Sequence, residues 1–596
     1  TLDDNGKAVY GDRADFLHYT KALNPLLGSE LRAIDRTNVT ANVTLNEVIT
    51  PIKGLTIEAK QSMEARDYRS SVFEHPLEDH YSPMGDFVQY NSGAGYRSES
   101  FTRYYRFTYT HTAEYKRSFN LDHNMSVLLG QESEVSKNHS FGISRDGHTD
   151  SRNSLLTHGT EVPNNPSHSI VEESRNSYFV IGDYNYQEKY FFNGLFRREA
   201  SSLFAPDGRW GNFWALGAKW DIKKESFMPQ LDWLDGLSLR GATGNSSISN
   251  YLFYGLASGS NLVYNGESGM TVSQASNYDL TWETVTATNI ALDFRLFDRV
   301  TVLAEFYKKK TSDMLMEIPF SYTTGFGGGY GNIGAMTNTG VELNVDVDIL
   351  KAKDYLWTFR ANVNYNKNEI TELFNNKEEY VLSNTGLKLQ IGKPYGEYYQ
   401  VKYLGVDPRD GKQLWEDYQG NPTKVYNEDR DAQMSGKQRY APWSGGFGTY
   451  FTWKGISVSG DFAWVLGKYA TNNDRYFLSN PFKYGTSNNQ TTDMLNLWTT
   501  PGQITDIPGV GEEIFFDSHL LENSSFLRLK NLNVGYDLPK NWVRKAGLTG
   551  VNVFFTGRNL FTVTNYTGYD PEPDINVILF RYPNTKEFVF GAEITF

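Results

Sequence analysis

The stretch Gly325-Phe326-Gly327-Gly328-Gly329-Tyr330-Gly331 is the first with the look of a chemical motif. A phosphate-binding loop needs a following Lys-Ser/Thr and a helix whose first amides point at the anion. Strand-like sequence follows instead, so the run predicts a flexible loop. Two acidic clusters, Asp407, Asp410, Glu416 and Asp417, then Glu428, Asp429 and Asp431, offer oxygen ligands without the spacing of a calcium-binding loop. Solvated charge is the expectation there; calcium in the loops is the one ion kept open, and no other cofactor is expected. The ten histidines form no close zinc pair. His139, His148, His158 and His168 recur at near-regular intervals in what reads as one polar loop, a spacing read as coincidence. There is no G-x-S-x-G nucleophile elbow, and the absence of cysteine excludes thiolate chemistry and disulfides. With no catalytic constellation, the expectation is a protein that is not an enzyme.

What remains is binding chemistry. Tyr264, Tyr322, Tyr330, Trp415 and Trp443 lie in polar, loop-like sequence. Their rings could stack on sugars or grip peptides, or pack loops against one another. Glu342, Asp346, Asp348, Arg360, Arg558 and Glu593 are charges set between apolar neighbours at every second position. Their use depends on the elements that hold them.

Those elements read as strands. Val341, Leu343, Val345, Val347 and Ile349 alternate with Glu342, Asn344, Asp346 and Asp348; after a turn at Leu350–Asp354, Trp357, Phe359, Ala361, Val363 and Tyr365 alternate with Thr358, Arg360, Asn362 and Asn364. Period two over this length gives one apolar and one wet face. The hairpin recurs: Val39–Val48 with Leu55–Met63, Ile290–Phe297 with Val300–Lys308, and Phe447–Trp453 with Ile456–Trp464. Further turns fall near Arg117–Asn120, Gln187–Lys189, Asp232–Gly236 and Pro539–Gly550. Eight short turns join about 16 strands, and a final strand makes roughly 17. In Phe526–Leu538 the apolar phase slips near Lys530-Asn531, which predicts a β-bulge.

Long polar segments such as Ser246–Thr281, Lys310–Asn338, Lys367–Ala441 and Ala470–Asn523 separate the hairpins. Short turns at one end and long loops at the other are the asymmetry of a transmembrane barrel. Composition agrees: 39 Tyr, 37 Phe and 53 Gly in 596 residues, with no run of about 20 apolar residues that a membrane helix needs. A net charge of −13 argues against a nucleic-acid partner. The last strand ends on Phe588, Phe590, Ala592, Ile594 and Phe596 along one face, similar to the assembly signal of outer-membrane proteins. The fold class expected is all-β, an antiparallel transmembrane β-barrel of the bacterial outer membrane crossing the lipid many times.

Seven phrases in order carry a family resemblance: Phe204–Phe213, Leu280–Asn289, Asn332–Leu343, Val363–Leu373, Ile391–Pro408, Phe526–Pro539 and Gly557–Pro573. The chain resembles the SusC/RagA-type TonB-dependent transporters. The resemblance implies a plugged barrel of about 22 strands, so that this chain would hold its C-terminal portion, with the plug and about five strands supplied by a companion N-terminal fragment. Residues 1–37 would then be part of an extracellular loop, and 38–596 the barrel. No export signal opens the chain at Thr1-Leu2-Asp3-Asp4, in keeping with that expectation. The resemblance further implies active import of large nutrients, glycan oligomers or oligopeptides. The implied partners are a SusD-like surface lipoprotein as lid, TonB acting through the plug, and a dimer of transporter–lid pairs. The wet-face charges would line the lumen, and 246–281 with 310–338 would meet the lid. The rival readings are a passive porin or structural barrel and, from another class, an outer-membrane enzyme.

Overall fold

The computed structural model describes residues 32–596 except 75–79, 82–87, 90–94, 121, 151, 163–165, 249–257, 265, 383–385, 483–489 and 580. A 17-stranded antiparallel sheet dominates it. Its strands are β1 (Arg32–Ile52), β2 (Leu55–Glu74), β3 (Gly95–Phe119), β4 (His123–His148), β5 (Ser167–Tyr186), β6 (Tyr190–Ser201), β7 (Trp210–Asp221), β8 (Leu234–Ile248) and β9 (Glu283–Leu296). They continue as β10 (Val300–Ser312), β11 (Ala335–Ala352), β12 (Tyr355–Glu372), β13 (Trp443–Trp453), β14 (Ile456–Leu466), β15 (Phe526–Asp537), β16 (Gly550–Thr564) and β17 (Glu587–Thr595). Each strand pairs with its neighbours in sequence, the meander expected when every strand must find a backbone partner beside it. Among the described residues β1 pairs only with β2 and β17 only with β16, so the sheet keeps two edges.

The short turns fall where the alternation breaks. Gly54, Lys454 and Gly455 take positive φ in two of them, at 91°, 47° and 90°. The turn after β15 carries the short helix Lys540–Lys545. Lys530 is skipped by both neighbours, Leu529 and Asn531 being the paired residues on either side, which is the predicted bulge.

The ladder register fixes the two faces. Ile290, Phe306, Val341, Tyr365 and Trp443 stand opposite one another in one row across β9 to β13. One residue along, Ala291, Glu305, Glu342, Asn364 and Ser444 form the next row, on the other face. Leu129, Phe192, Leu216, Ile290, Phe306 and Val341 of the apolar face are exposed, as a surface meant for lipid must be. At the short-turn end this face ends in a belt of rings: Tyr186–Tyr190 at 6.3 Å, Tyr190–Trp220 at 6.5 Å, Trp220–Phe227 at 6.3 Å and Trp233–Phe297 at 6.4 Å between centroids. Tyr365 and Trp443, 4.6 Å apart, mark the opposite border. Aromatic girdles of this kind sit at the two membrane interfaces.

The strands are longer than alternation alone indicates. β1 to β5 run for 20–26 residues, against the roughly 9–11 that cross a bilayer. β1 already starts at Arg32, so 32–37, expected as loop, are strand; 1–31 lie outside the described residues. Above the apolar band both faces are wet, and the period-two signal fades while the ladder continues.

The long segments fold as well. The segment 313–334 forms a hairpin of Leu315–Pro319 with Gly328–Asn332, so the glycine run is one arm of a built hairpin rather than a flexible loop. Added Cβ atoms at Gly329 and Gly331 would lie 2.8 Å from the Phe320 ring and 2.7 Å from Ile318, which is why glycine serves there. The segment 373–442 holds two small sheets, and Tyr469–Asn472 pairs with Leu521–Asn523 and, in parallel, with Val577–Ile578.

Val345 lies opposite Ala361, midway between the border rings Trp357 and Tyr365, and so near the centre of the lipid band. Val345→Arg is expected to destabilise the barrel by about 2–4 kcal/mol, as an arginine at the midplane of a lipid face does. Asn344→Arg, pointing inward, should stay within about 1 kcal/mol. Reversible unfolding in phospholipid vesicles measures both, and equal losses would mean that the faces are assigned the wrong way round.

Candidate functional site

The wet face is the wall of the candidate site. Glu342 stands opposite Glu305 and Asn364; Asp346 opposite Arg360, 4.0 Å between charged atoms; Arg558 opposite Glu587, at 3.1 Å; and Glu593 opposite Asn552. Asp348 sits near the turn with Lys351 at 3.6 Å. All six wet-face charges therefore share one face of the sheet, the one opposite the exposed apolar row. They are joined there by pairs that alternation does not single out: Arg197 with Glu132 (2.9 Å) and Glu199 (2.7 Å), and Arg240 with Asp293 (3.5 Å) and Glu305 (3.6 Å). A wall of paired charges holds water and polar solutes without fixing a strong net field.

Glycines shape this wall. Gly446 and Gly448 of β13 leave a recess of about 650 Å³ lined by Asn344, Asp346, Arg360, Asn362 and Asp461. Nearer the long-loop end a cavity of about 620 Å³ lies between Tyr307, Asn338, Asn364, Arg439, Glu572 and Asp574. An amide cluster borders it. Asn366 Nδ2 and Asn368 Nδ2 both donate to Asn338 Oδ1, at 3.1 and 2.9 Å, and the Tyr307 hydroxyl reaches Asn366 Oδ1 at 3.1 Å.

The loop 565–586 is pinned onto this wall by a cluster that sequence reasoning missed. Arg528 of β15 is almost fully buried; its guanidinium donates to Asp570 at 2.7 Å and pairs with Glu572, which also meets Lys530. Lys468, just beyond β14, gives its ammonium to three successive carbonyls, of Pro571 (3.1 Å), Glu572 (3.0 Å) and Pro573 (2.7 Å). Burial draws the Lys468 ammonium below its usual range, while Asp574 and Glu572 pull the other way. Burial also opposes ionisation of Asp570, but Arg528 prevails and holds its carboxyl low. The Asp570-Pro571-Glu572-Pro573 run was the available signal: two prolines lacking N–H groups keep the run out of a strand ladder, so its carbonyls can turn to a cation.

The five aromatic candidates separate. Trp415 is corrected: it is 3% exposed, its indole N–H donates to Asp517 at 2.6 Å, and Tyr426 and Phe515 pack around it, so it holds loops together. Trp443 is corrected too: it begins β13 on the outward face, beside Tyr365, where lipid and not a polar solute meets it. Tyr330 packs on the buried cluster of Phe204, Phe213, Leu280, Trp282 and Leu315, a ring that closes the hairpin rather than one presented outward. Tyr264 lies in the strand Ser258–Tyr264 and Tyr322 in the short 3-10 turn Tyr322–Thr324; their side chains lie outside the described residues. Tyr398, wholly buried, ties three loops by turning its hydroxyl to the carbonyls of Tyr469 (3.1 Å) and Asn576 (2.9 Å).

Four of the seven acids in the two clusters have basic partners. Asp407 binds Arg409 and Lys424, each at 2.7 Å; Lys424 also takes Asp410; Glu416 pairs with Lys402 and Asp431 with Arg430. The Arg409 guanidinium, then Lys424, hold the Asp407 carboxyl well below the carboxylate range. Among the described residues no three His, Asp or Glu side chains converge as a metal would require.

The family profile described as TonB dependent receptor-like, beta-barrel matches residues 28–560. TonB-dependent receptor P3 of Formosa agariphila is 28% identical over 550 residues, covering 85% of this chain and 54% of its own. TonB-dependent receptor SusC of Bacteroides thetaiotaomicron is 28% identical over 439 residues, covering 70% and 43%. The RagAB peptide transporter superimposes with a TM-score of 0.89 at 33% identity, covering 99% of this chain and 65% of that one. The chain spans about half the length of the curated relatives it matches.

Two outcomes are expected at the mouth. Arg528→Ala strands buried Asp570 and leaves half-buried Glu572 to Lys530 alone, and should cost about 3–5 kcal/mol, because removing one partner leaves uncompensated buried charge. Protease cleavage within 565–586 should rise while the sheet stays folded; an unaltered cleavage rate would show that the loop is held by something else. The second outcome concerns pH. Burial, with Arg475 adjacent, pushes His519 down to about 4; burial pushes Asp517 up to about 6 against the hydrogen bonds it accepts from Trp415 and the His519 amide. The depressed histidine contributes stability above pH 6.5 that is lost as pH falls toward 4. The raised carboxyl works in reverse, its contribution complete below pH 3.8 and lost as pH rises through 6. In His519→Phe only the second remains, so amide protection in 467–525 should increase on acidification from pH 6 to 4. A continued fall in the variant would show that other groups govern the loop.

Proposed function

The chain belongs to the TonB-dependent receptor-like β-barrel family and lies in the outer membrane, and from that premise we propose that it forms most of the wall of an importer for large nutrients, glycan oligomers or oligopeptides. The observation that carries the reading is the 33% identity to the RagAB peptide transporter across 99% of this chain, on a fold with the same strand course. The transport step proposed is active. A surface lipoprotein resembling SusD closes the mouth, substrate enters from above, and a plug inside the barrel rearranges when TonB pulls on it. The inner wall of paired charges and amides supports such a path, because it solvates a polar solute without trapping it at one strong site.

Two features support the assembly. Among the described residues the outer edges of β1 and β17 have no strand beside them, and in hydrocarbon their backbone N–H and C=O groups need partners, which supports further strands at those edges. Apolar side chains stand open on loops at the long-loop end, Met270, Leu495, Ile504, Val510 and Tyr582 among them. A protein lid would cover them. Of the two segments expected to meet the lid, 246–281 contributes Met270 and Val272 on its exposed hairpin, and 310–338 contributes the hairpin around the glycine run.

The test is uptake. Cells carrying the gene should accumulate labelled oligopeptide or oligosaccharide of a size that porins exclude. Accumulation should stop when TonB is deleted or the proton-motive force is collapsed. Uptake that continues unchanged under both treatments would overturn active import in favour of the passive barrel.

A further inference from the structure

Of the four near-regular histidines, strand pairing brings two together. His139 of β4 lies opposite Ile170, and Phe141 opposite His168 of β5, so the two histidines are diagonal neighbours on one face of an antiparallel pair. Their Nε2 atoms are 3.0 Å apart. His148 is buried elsewhere, edge-on to Phe73, and His158 lies in the 3-10 turn Leu156–His158.

The face is the outward one. Along β4 its side chains run Val127, Leu129, Gln131, Ser133, Val135, Lys137, His139 and Phe141, with the opposite face carrying Glu132 and Glu134 into the wall. Lys137 pairs with Glu172 at 2.5 Å, and the change from Val135 to Lys137 marks where the apolar band ends. The histidine pair therefore stands in water, just beyond the lipid. Of the cations beside the pair, Lys137 is held by Glu172 and Arg103, opposite His139, is bound two-pronged by Asp67 at 2.7 and 2.6 Å, so neither stands as a bare charge against a metal ion.

Two imidazole nitrogens at this distance can share only one proton. A soft or borderline cation can take that proton's place and bond to both. With a metal–nitrogen bond of about 2.05 Å, nitrogens 3.0 Å apart subtend about 95° at the metal. That is the angle between adjacent ligands in a tetragonal or octahedral site; a tetrahedral site would need the nitrogens to spread to about 3.3 Å. Tetragonal nitrogen coordination suits Cu²⁺ and Ni²⁺, and the affinity order for first-row ions puts Cu²⁺ ahead of Ni²⁺ and Zn²⁺. The described residues offer no third His, Asp or Glu ligand, so water completes the shell and the ion exchanges readily.

We propose that His139 and His168 form a surface site for a borderline divalent transition-metal cation, Cu²⁺ in preference to Zn²⁺, clamping β4 to β5 above the membrane. The site is independent of the import reading. The test uses the full-length barrel, purified in detergent without a histidine tag and titrated with Cu²⁺ alone. The electron paramagnetic resonance spectrum of the first equivalent should carry coupling to two imidazole nitrogens. His139→Gln and His168→Gln should each weaken binding at least tenfold and leave one coupled nitrogen, while His158→Gln binds as the parent does. Heat-dependent gel mobility checks that each variant remains a folded barrel. Parent-like affinity in either pair variant, a single nitrogen in the parent, or displacement of Cu²⁺ by equimolar Zn²⁺ would overturn the proposal.

Discussion

Everything in this molecule depends on where backbone hydrogen bonds go. In hydrocarbon there is no water to accept an N–H or donate to a C=O, so each strand must lie in ladder contact with another along its whole lipid-crossing length. That requirement produces the meander, the period-two chemistry and the division of labour between faces. One face meets lipid and can be as apolar as the row Ile290, Phe306, Val341, Tyr365 and Trp443. The other, one residue away, is free to carry charge, and the register places acids beside bases across neighbouring strands, as at Asp346 and Arg360.

Once the wall is fixed, the mouth becomes a separate folding problem. Loops beyond the lipid have water for their backbones and so can adopt small sheets, short helices and irregular runs. What they lack is a large apolar core, and they compensate with scattered anchors: Trp415 against Tyr426 and Phe515, Tyr398 reaching two loops, Arg528 and Lys468 gripping the run from Asp570 to Pro573. The last of these joins loop to barrel through buried charge, as Glu283 of β9 does more simply by accepting the Leu315 amide at 3.1 Å. The former sits at the β-bulge, where Arg528 and the bulged Lys530 both reach Glu572.

Legibility followed the same physics. Turns and strand number were readable wherever one face is apolar and the other wet, because that contrast writes itself into alternate residues; the common face of the six charges and the bulge at Lys530 were found this way. Strand ends were not readable, since β3 and β4 continue through Arg97 and Arg145 where both faces are wet and sequence carries no contrast. The loop aromatics could not be sorted for a related reason. A ring type does not say whether it is a border residue, like Trp443, or a buried strut, like Trp415. The carbonyl grip of Lys468 and the meeting of His139 with His168 depend on contacts far apart in the chain, and no local pattern announces them.

The long ladders also have a mechanical meaning. From Gly95 opposite His148 to Phe119 opposite His123, β3 and β4 are joined along their full length, with hydrogen bonds lying across the strands. A load directed along the strands meets all these bonds at once, in shear, whereas a load that peels one strand from the next meets them singly. A tug along the barrel axis thus finds the wall at its stiffest. The parts free to yield are those held by a few side-chain anchors, and strain introduced inside such a barrel is passed to its loops and contents before it reaches its staves.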